Sequence, residues 1–285
     1  MRDLPLDVVD VLAIVLPLVV AALVGVALLV ALRRGLRSRA LVVAVSTLLA
    51  GSVAVLGPWL PADAGAVAGP GVVVAGANVD GRARPLEAIL GIDADVWVVG
   101  ELSAEVDDGL DAVAYPHRDG GGVTPHVRVY SRYPLERTAD AGPDLPGQRY
   151  EVAGPDGPFV LYALHVPRPW LVGETTTSYQ VTVAEHQRVV ERVAAQVAAE
   201  TLPTVVVGDL NSTDRGRDLR ALTAVTVDAM RDGAGGPTSV GKWRLLLARI
   251  DHVLVTPGWC GDDARRVEMP GSSHRIVTAR VGPCA

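Results

Sequence analysis

Two packed β-sheets with helices on their outer faces, following a pair of apolar helices, form the architecture this sequence predicts. Three observations carry the prediction. The first 60 residues hold two long runs almost free of charge. Beyond residue 70 the chain breaks into short valine-rich runs of strand length bounded by turn residues. Helical periodicity recurs in only two places there, so the regular alternation of a parallel α/β fold is missing.

Residues 8–32 are apolar apart from Asp10, and residues 40–60 carry no charge. Each run is long enough for a hydrocarbon core that takes roughly 20 helical residues. The reading is two transmembrane helices, with Pro17 as a kink position in the first. A cleaved signal peptide is the competing reading, but its apolar region is shorter, roughly 7 to 15 residues. Arg33, Arg34, Arg37 and Arg39 crowd the link between the runs, against Arg2 alone at the N-terminus. Positive charge stays on the cytoplasmic side, so both termini and everything after residue 60 are expected outside a cell membrane crossed twice. Residues 61–70, rich in Ala, Gly and Pro, read as a linker, and residues 71–285 as one domain large enough for a substantial core.

Cys260 and Cys284, the only cysteines, both fall in the exported part. An oxidising compartment favours a disulfide between them, and two buried free thiols are the alternative. Net charge constrains the partners. Of 26 basic and 32 acidic residues, five arginines and four aspartates lie in the first 66 positions, leaving 21 against 28 and a net of −7. That balance, with Lys242 as the single lysine, is a poor match to long nucleic acid, whose binding rests on basic surface.

In the domain, residues 71–76, 95–99, 126–130, 159–164, 204–207, 250–255 and 276–281 read as strands, and residues 84–90 and 179–200 as helices. Roughly ten strands in this length point to two sheets with helices outside. The strand ends carry the chemistry. The three-valine run Val205-Val206-Val207 ends in Gly208-Asp209-Leu210-Asn211, which is either an Asx-type turn or a presented carboxylate and amide. The first strand ends in Asn78-Val79-Asp80-Gly81, again turn formers in isolation. The second stops at Glu101, a residue suited to a helix start or to a cation. The third hands over to Arg132, a surface charge or a phosphate-binding fork. His165 closes the fourth, Asp251 opens a later one, and Ser272-Ser273-His274-Arg275 precedes the last. Residues 168–177, with Trp170 and Leu171, form a loop after His165 suited to packing, substrate or the bilayer. His117, His126, His186 and His252 carry no motif and read as structural or surface groups.

Taken in order, this set resembles the endonuclease/exonuclease/phosphatase superfamily, the Mg-dependent group that includes DNase I, abasic-site endonucleases, sphingomyelinases and inositol-phosphate 5-phosphatases. The resemblance covers about residues 71–282, and the hairpin looks like that of bacterial membrane-anchored members. It implies a four-layer α/β sandwich, two mixed sheets flanked by helices, with the polar groups meeting at one edge. It further implies Glu101 as the main ligand of Mg²⁺ (or Mn²⁺), with Asn78 and Asp80 nearby. Asp209 and Asn211 would orient the attacking water and hold a phosphoryl oxygen, with Arg132 as a further phosphate contact. His274, held by Asp251, looks like the family's catalytic histidine, and His165 like a second one on phosphate or leaving group. The implied activity is hydrolysis of a phosphate ester: a phospholipid head group, a nucleic acid or a small phosphodiester. Beyond the bilayer no protein partner is implied.

Two positions depart from the pattern. Ser273 stands where Asp is usual, which removes a charge from the expected metal site, and Gly100 stands where Gln is usual. The alternative is therefore a catalytically impaired member acting as a membrane-tethered binding or scaffold protein.

Overall fold

The computed structural model describes residues 6–34, 39–111, 115–120, 127–170, 179–233, 235–240 and 248–285. Two helices open the chain, α1 (Leu6–Arg34) and α2 (Arg39–Leu56), and a 3₁₀ turn, Gly57–Trp59, ends them. The domain then runs β1 (Val72–Asn78), α3 (Leu86–Leu90), β2 (Val96–Gly100), α4 (Ala104–Asp111), β3 (His117–Gly120), β4 (Val127–Ser131), β5 (Leu135–Ala139), β6 (Gly147–Gly154) and β7 (Gly157–His165). It continues through β8 (Arg168–Trp170), β9 (Gln180–Thr182), α5 (Val183–Ala198), β10 (Thr204–Asp209), α6 (Arg217–Thr223), β11 (Val227–Asp228), β12 (Asp251–Val255), β13 (Trp259–Glu268) and β14 (Arg275–Pro283).

Two six-stranded sheets hold most of these strands, in the orders β13-β14-β1-β2-β4-β3 and β11-β12-β10-β7-β6-β5. Both are mixed: β1 and β2 are parallel in one, β7 and β10 in the other, and the remaining pairs are antiparallel. The valine runs suit this placement because a central strand covered on both faces needs apolar residues at every position. In β10, Val205 and Val207 enter the core between the sheets while Val206 faces the helical side. That inner core also takes Val74, Val98, Leu161, Val253 and Val277. Val190, Val193 and Val197 of α5 cover the outside of the second sheet. Ile89 of α3 and Val106 and Leu110 of α4 cover the outside of the first, against Trp97 and Tyr130. The result is the four-layer α/β sandwich, two mixed sheets flanked by helices.

Helix α5 begins at a capping box, with Thr182 and Glu185 exchanging side-chain to backbone bonds. Strands β5 and β13 escaped the sequence reading because they are edge or near-edge strands with charged outer faces, Glu136 and Arg137 in one and Asp262, Asp263, Arg265 and Arg266 in the other. Two glycines let the sheets close over the site. A Cβ on Gly76 of β1 would stand 3.1 Å from the Val207 side chain across the sandwich. Gly208 adopts φ +138°, and a Cβ there would fall 1.9 Å from the carbonyl of Leu164.

The stretch expected as a linker lies along the domain. Val67 bridges to Cys284, the backbone N–H of Ala68 donates to the carbonyl of Pro283, and that of Ala62 to the carbonyl of Arg231. Ala64 and Val67 are buried. Of α1 and α2, counting only residues described with their side chains, no helix is long and apolar enough to cross a membrane; the longest such run is residues 19–33. Their described apolar side chains are nonetheless open, Leu23 at 48%, Val26 at 60%, Val43 at 64% and Val53 at 63% exposure.

Cys260 of β13 and Cys284 after β14 form a disulfide, with Cα atoms 5.0 Å apart. It closes a 24-residue separation at the edge where β14 ends. Replacing both cysteines by serine is expected to lower the unfolding free energy by about 3 kcal/mol through restored loop entropy, measured by chemical denaturation of the full chain beside the parent.

Candidate active site

The register of the sheets, more than any single motif, assembles the polar groups. In the second sheet Asp209 stands on one rung with His165 of β7 on one side and Asp251 of β12 on the other. In the first, Asn78 is level with Gly100, the residue before Glu101, and His274 directly precedes β14. The C-terminal ends of β1, β2, β7 and β10 and the starts of β12 and β14 therefore share one edge. Inward-facing positions alternate along each strand, so the cores of Val205 and Val207 and of Val253 and Val255 end in Asp209 and Asp251 facing the gap between the sheets.

Asn78 joins the sheets. Its Nδ2 donates to Glu101 Oε1 at 3.1 Å and to Asp209 Oδ2 at 3.0 Å, and its Oδ1 accepts from the backbone N–H of Asp80 at 3.1 Å. In this arrangement the amide nitrogen holds two carboxylates in place, and its oxygen accepts from the backbone of Asp80. His165 Nε2 lies 3.5 Å from Glu101 Oε1 and 3.9 Å from Asp209 Oδ2. Asp251 grips Nδ1 of His274 with both oxygens, at 3.0 and 3.1 Å, leaving Nε2 of that ring 3.9 Å from Asp209 Oδ2. Burial of His274 works against its charge, but Asp251, Asp209, the hydrogen bond to Asp251 and Asp80 together push its pKa up to about 10. Asp209 is shifted upward too, by burial first and by the neighbouring Asp251 second. The backbone N–H of Asn211 donates to Asp209 Oδ1 at 2.9 Å, and its Nδ2 donates to the carbonyl of Val166.

Three of the four non-glycine residues with positive φ among the described residues are Asp80 (52°), Glu101 (48°) and Asn211 (47°). Such backbone costs on the order of 1 kcal/mol or more each and persists only where the surroundings enforce it. Here Gly81 N donates to the carbonyl of Glu101 and Val79 N to that of Gly100, locking the two strand ends together.

Arg132 is not brought to this edge. Strand β4 runs antiparallel to β2, with Val96 opposite Ser131, so Arg132 emerges at the far edge. There it pairs with Asp93 and Asp95 and lies over the Tyr115 ring. The expected phosphate contact is corrected by strand direction alone. Residues 171–178, most of the loop read as a substrate or bilayer contact, and His126 lie outside the described residues. His186 and His252 are buried on the helical side of the second sheet, on Ser212 Oγ (3.3 Å) and the Ser212 carbonyl (3.0 Å).

The supporting contacts of several residues gave no signal in the sequence. Thr238 Oγ1 accepts from the backbone N–H of Ile250 and Asp251, and its carbonyl accepts from Arg275 N, so one threonine positions both partners of the Asp251–His274 pair. Ser272 Oγ donates to the carbonyl of Asn78 and accepts from His274 N. Tyr179 sets its ring 5.2 Å from that of His165. Arg249, 1% exposed, bridges Asp214 and Asp228 at 2.6 Å each.

Two groupings offer metal ligands. Ligand atoms of Asp209, Asp251 and His274 lie within 4.8 Å of one another, all buried. A cation there would have to displace a doubly held, protonated imidazole. Glu101 fits a hard cation better: its carboxylate is 41% exposed, against 3% for Asp209 and 2% for Asp251, and an open carboxylate leaves room for the waters Mg²⁺ retains. Asp80 Oδ2 takes the backbone N–H and hydroxyl of Ser273 at 2.7 and 2.9 Å.

A four-layer sandwich with its acids, amides and imidazoles gathered at one edge of both sheets defines the DNase I-like class of protein. Residues 75–274 match the Endonuclease/Exonuclease/phosphatase family, and the chain belongs to it. Among solved structures it is similar to an endonuclease/exonuclease/phosphatase from Beutenbergia cavernae DSM 12333, at 18% identity and TM-score 0.55, over 75% of this chain and 72% of that one. A Bacteroides vulgatus member gives 17% identity and TM-score 0.56, over 75% and 100%. A mannosyl-6-phosphatase from Bacteroides thetaiotaomicron VPI-5482 gives 14% and 0.51, over 74% and 99%. No curated protein sequence matches.

The bond from Ser273 Oγ to Asp80 Oδ2 defines a test. Ser273→Asp puts two carboxylates against each other, so the variant is expected to melt lower than the parent in chelator and to recover with Mg²⁺, checked by thermal melts with and without the ion. Equal melting in chelator and in Mg²⁺ counts against a cation between positions 80 and 273.

Proposed function

We propose that this chain is a membrane-anchored, extracytoplasmic, divalent-metal-dependent phosphoesterase that cleaves its ester by histidine-assisted attack of water. The observation that carries the reading is the His165–Asp209–Asp251 rung of one sheet, met at the same edge by His274, Glu101 and Asn78 of the other. Family members are phosphoesterases and nucleases, and the residue types meet the needs of that chemistry: a proton acceptor for water, positive charge for phosphoryl oxygens, and relief of charge on the leaving oxygen.

Asp209 is the acceptor for the water proton. Its upward shift, from burial first and Asp251 second, makes it a stronger base than an ordinary carboxylate. The Asn78 amide keeps Oδ2 of Asp209 in position, and the Asn211 N–H keeps Oδ1. His274, protonated through Asp251, presents Nε2–H to a phosphoryl oxygen in the 3.9 Å gap toward Asp209. His165, buried beside Glu101, stands on the other side of Asp209 and serves phosphate or the leaving oxygen. When bound at Glu101, with Asp80 as the second carboxylate, a divalent cation supplies neutralising charge to the phosphoryl group.

Anchoring rests on sequence: the apolar runs 8–32 and 40–60 carry one acid, Asp10, and the described apolar side chains of α1 and α2 are open. Export rests on the arginines of the connecting link and agrees with the disulfide.

Glu101→Ala is expected to lower metal-dependent turnover of bis-p-nitrophenyl phosphate about a thousandfold, and steady-state kinetics in Mg²⁺ or Mn²⁺ check it; full activity would remove Glu101 from the metal site. Asp251→Asn tests the imidazolium. Removing the carboxylate takes away the largest group opposing burial, so the alkaline limb of activity, expected near pH 10 in the parent, should move to lower pH. The same sign governs stability. The raised pKa of His274 stabilises the fold below the ordinary imidazole range, and the contribution is lost as pH rises through about 10. An unmoved alkaline limb in Asp251→Asn would mean that His274 is not the group titrating there.

A further inference from the structure

The route of the chain between hairpin and domain carries information the site does not. Strand β1 starts at the edge opposite the polar cluster and ends in it at Asn78. The segment before β1 runs the other way. Gly71 N bonds Asp156 in the β6–β7 turn at the far edge, Val67 lies beside Cys284, and Ala62 reaches Arg231. Trp59 then arrives at the loops that follow the site residues. Its Nε1 donates to Asp214 Oδ2 at 3.1 Å, three residues after Asn211, and the Arg215 guanidinium covers its ring at 4.8 Å. The other oxygen of Asp214 is held by Arg249, two residues before Asp251. Residues 60–70 are therefore a strap that carries the chain back along the sandwich and delivers the hairpin at the edge where the site opens. Helix α1 contacts α5, the helix that begins at that same edge after β9.

We infer that the strap holds the site with its mouth toward the bilayer, and that the substrate is the phosphoester head group of a membrane lipid. The inference rests on the proposed phosphoesterase and anchoring. Several features favour a lipid over a soluble polymer. A site facing the membrane at the height of a Trp59-Leu60 step meets head groups first, and Trp is at home at that interface. Leu60 is 51% exposed beside it. The loops of this edge also carry Arg82, Arg84 and Arg168, all exposed, in a domain whose net charge is negative; they suit a layer of phosphates more than a polyanion needing a continuous basic track.

The test uses the full chain reconstituted in vesicles. Thiol-reactive donors are placed by Ala83→Cys, on the exposed β1–α3 loop at the site edge, and by Pro155→Cys, in the exposed β6–β7 turn at the far edge; the native cysteines are paired. A nine-residue strand is about 30 Å long, so transfer to a head-group acceptor lipid should be several times stronger from position 83. Equal or stronger transfer from position 155 overturns the orientation without any assay of activity. Turnover is then compared on phospholipids in the same bilayer, on bis-p-nitrophenyl phosphate and on an oligonucleotide. A flexible Gly/Ser insertion of about 15 residues between Leu56 and Gly57 should cut lipid turnover roughly tenfold and leave the soluble diester within about twofold, because only the lipid depends on orientation. Soluble-diester or oligonucleotide cleavage with inert lipids, or lipid turnover unmoved by the insertion, overturns this inference alone. No hydrolysis of any substrate in Mg²⁺ or Mn²⁺ overturns the phosphoesterase reading, and the lipid assignment with it.

Discussion

One buried amide connects the two halves of the site. Asn78 is 1% exposed, and its nitrogen bonds a carboxylate in its own sheet, Glu101, and one in the opposite sheet, Asp209. An amide that lost either partner would stand unsatisfied between two sheets, at a cost of about 1–3 kcal/mol. The distance between the sheets at this edge is thus set by a polar contact, and the small residues beside it follow from that. Gly76, two positions before Asn78, leaves room for Val207, and Gly208 lets Asp209 leave its strand without striking Leu164. A larger residue at either position would wedge the sheets apart where Asn78 must span them.

The same edge concentrates charge that a core does not tolerate unpaired. Asp209, Asp251 and His274 are all buried, and burial is the largest influence on both shifted groups, Asp209 and His274. Leaving one such charge without its partner costs several kcal/mol, so each is tied to its neighbour. Arg249 repeats the arrangement one step further out: burial opposes its charge, and Asp228 and Asp214 outweigh it. Through Asp214 and Trp59 that second network joins the loop after Asn211 to the segment entering from the hairpin. The left-handed backbone at Asp80, Glu101 and Asn211 belongs to the same account, since three unfavourable conformations at three strand ends fit a site whose side-chain directions are fixed before a ligand arrives.

Much of this was legible because strand chemistry and site chemistry sit next to each other in the chain. Val-rich runs ending in Asn78, Glu101, His165 and Asp209 announce both the strand and what it delivers, and a two-sheet sandwich with helices outside follows from their number. The edge strands were not legible, because exposed strands need no apolar alternation, and β13 with its five charged residues reads as loop. Arg132 shows a different limit. Its sequence context matches that of the true site residues, a strand ending in a functional group, and only the antiparallel pairing of β4 with β2 sends it to the opposite edge. Strand direction is a property of the sheet, and no window around Arg132 contains it. Thr238 was invisible for a related reason: it acts through backbone groups of Ile250, Asp251 and Arg275, and a hydroxyl among glycines and prolines carries no mark of that.

Position 273 shows how structure changes the meaning of a substitution. From sequence, serine in place of aspartate is a missing ligand. In the fold, the backbone N–H and hydroxyl of Ser273 both donate to Asp80, a carboxylate held in left-handed backbone two residues past Asn78. An aspartate at 273 would face Asp80 with like charge and would need a cation or a proton between them. A serine donates to Asp80 and needs neither. The substitution therefore needs no cation to hold this edge together, while Glu101 is more open than Asp209 or Asp251. On the proposed metal-dependent reading, weaker metal affinity and an edge that holds without metal are two consequences of the same hydroxyl.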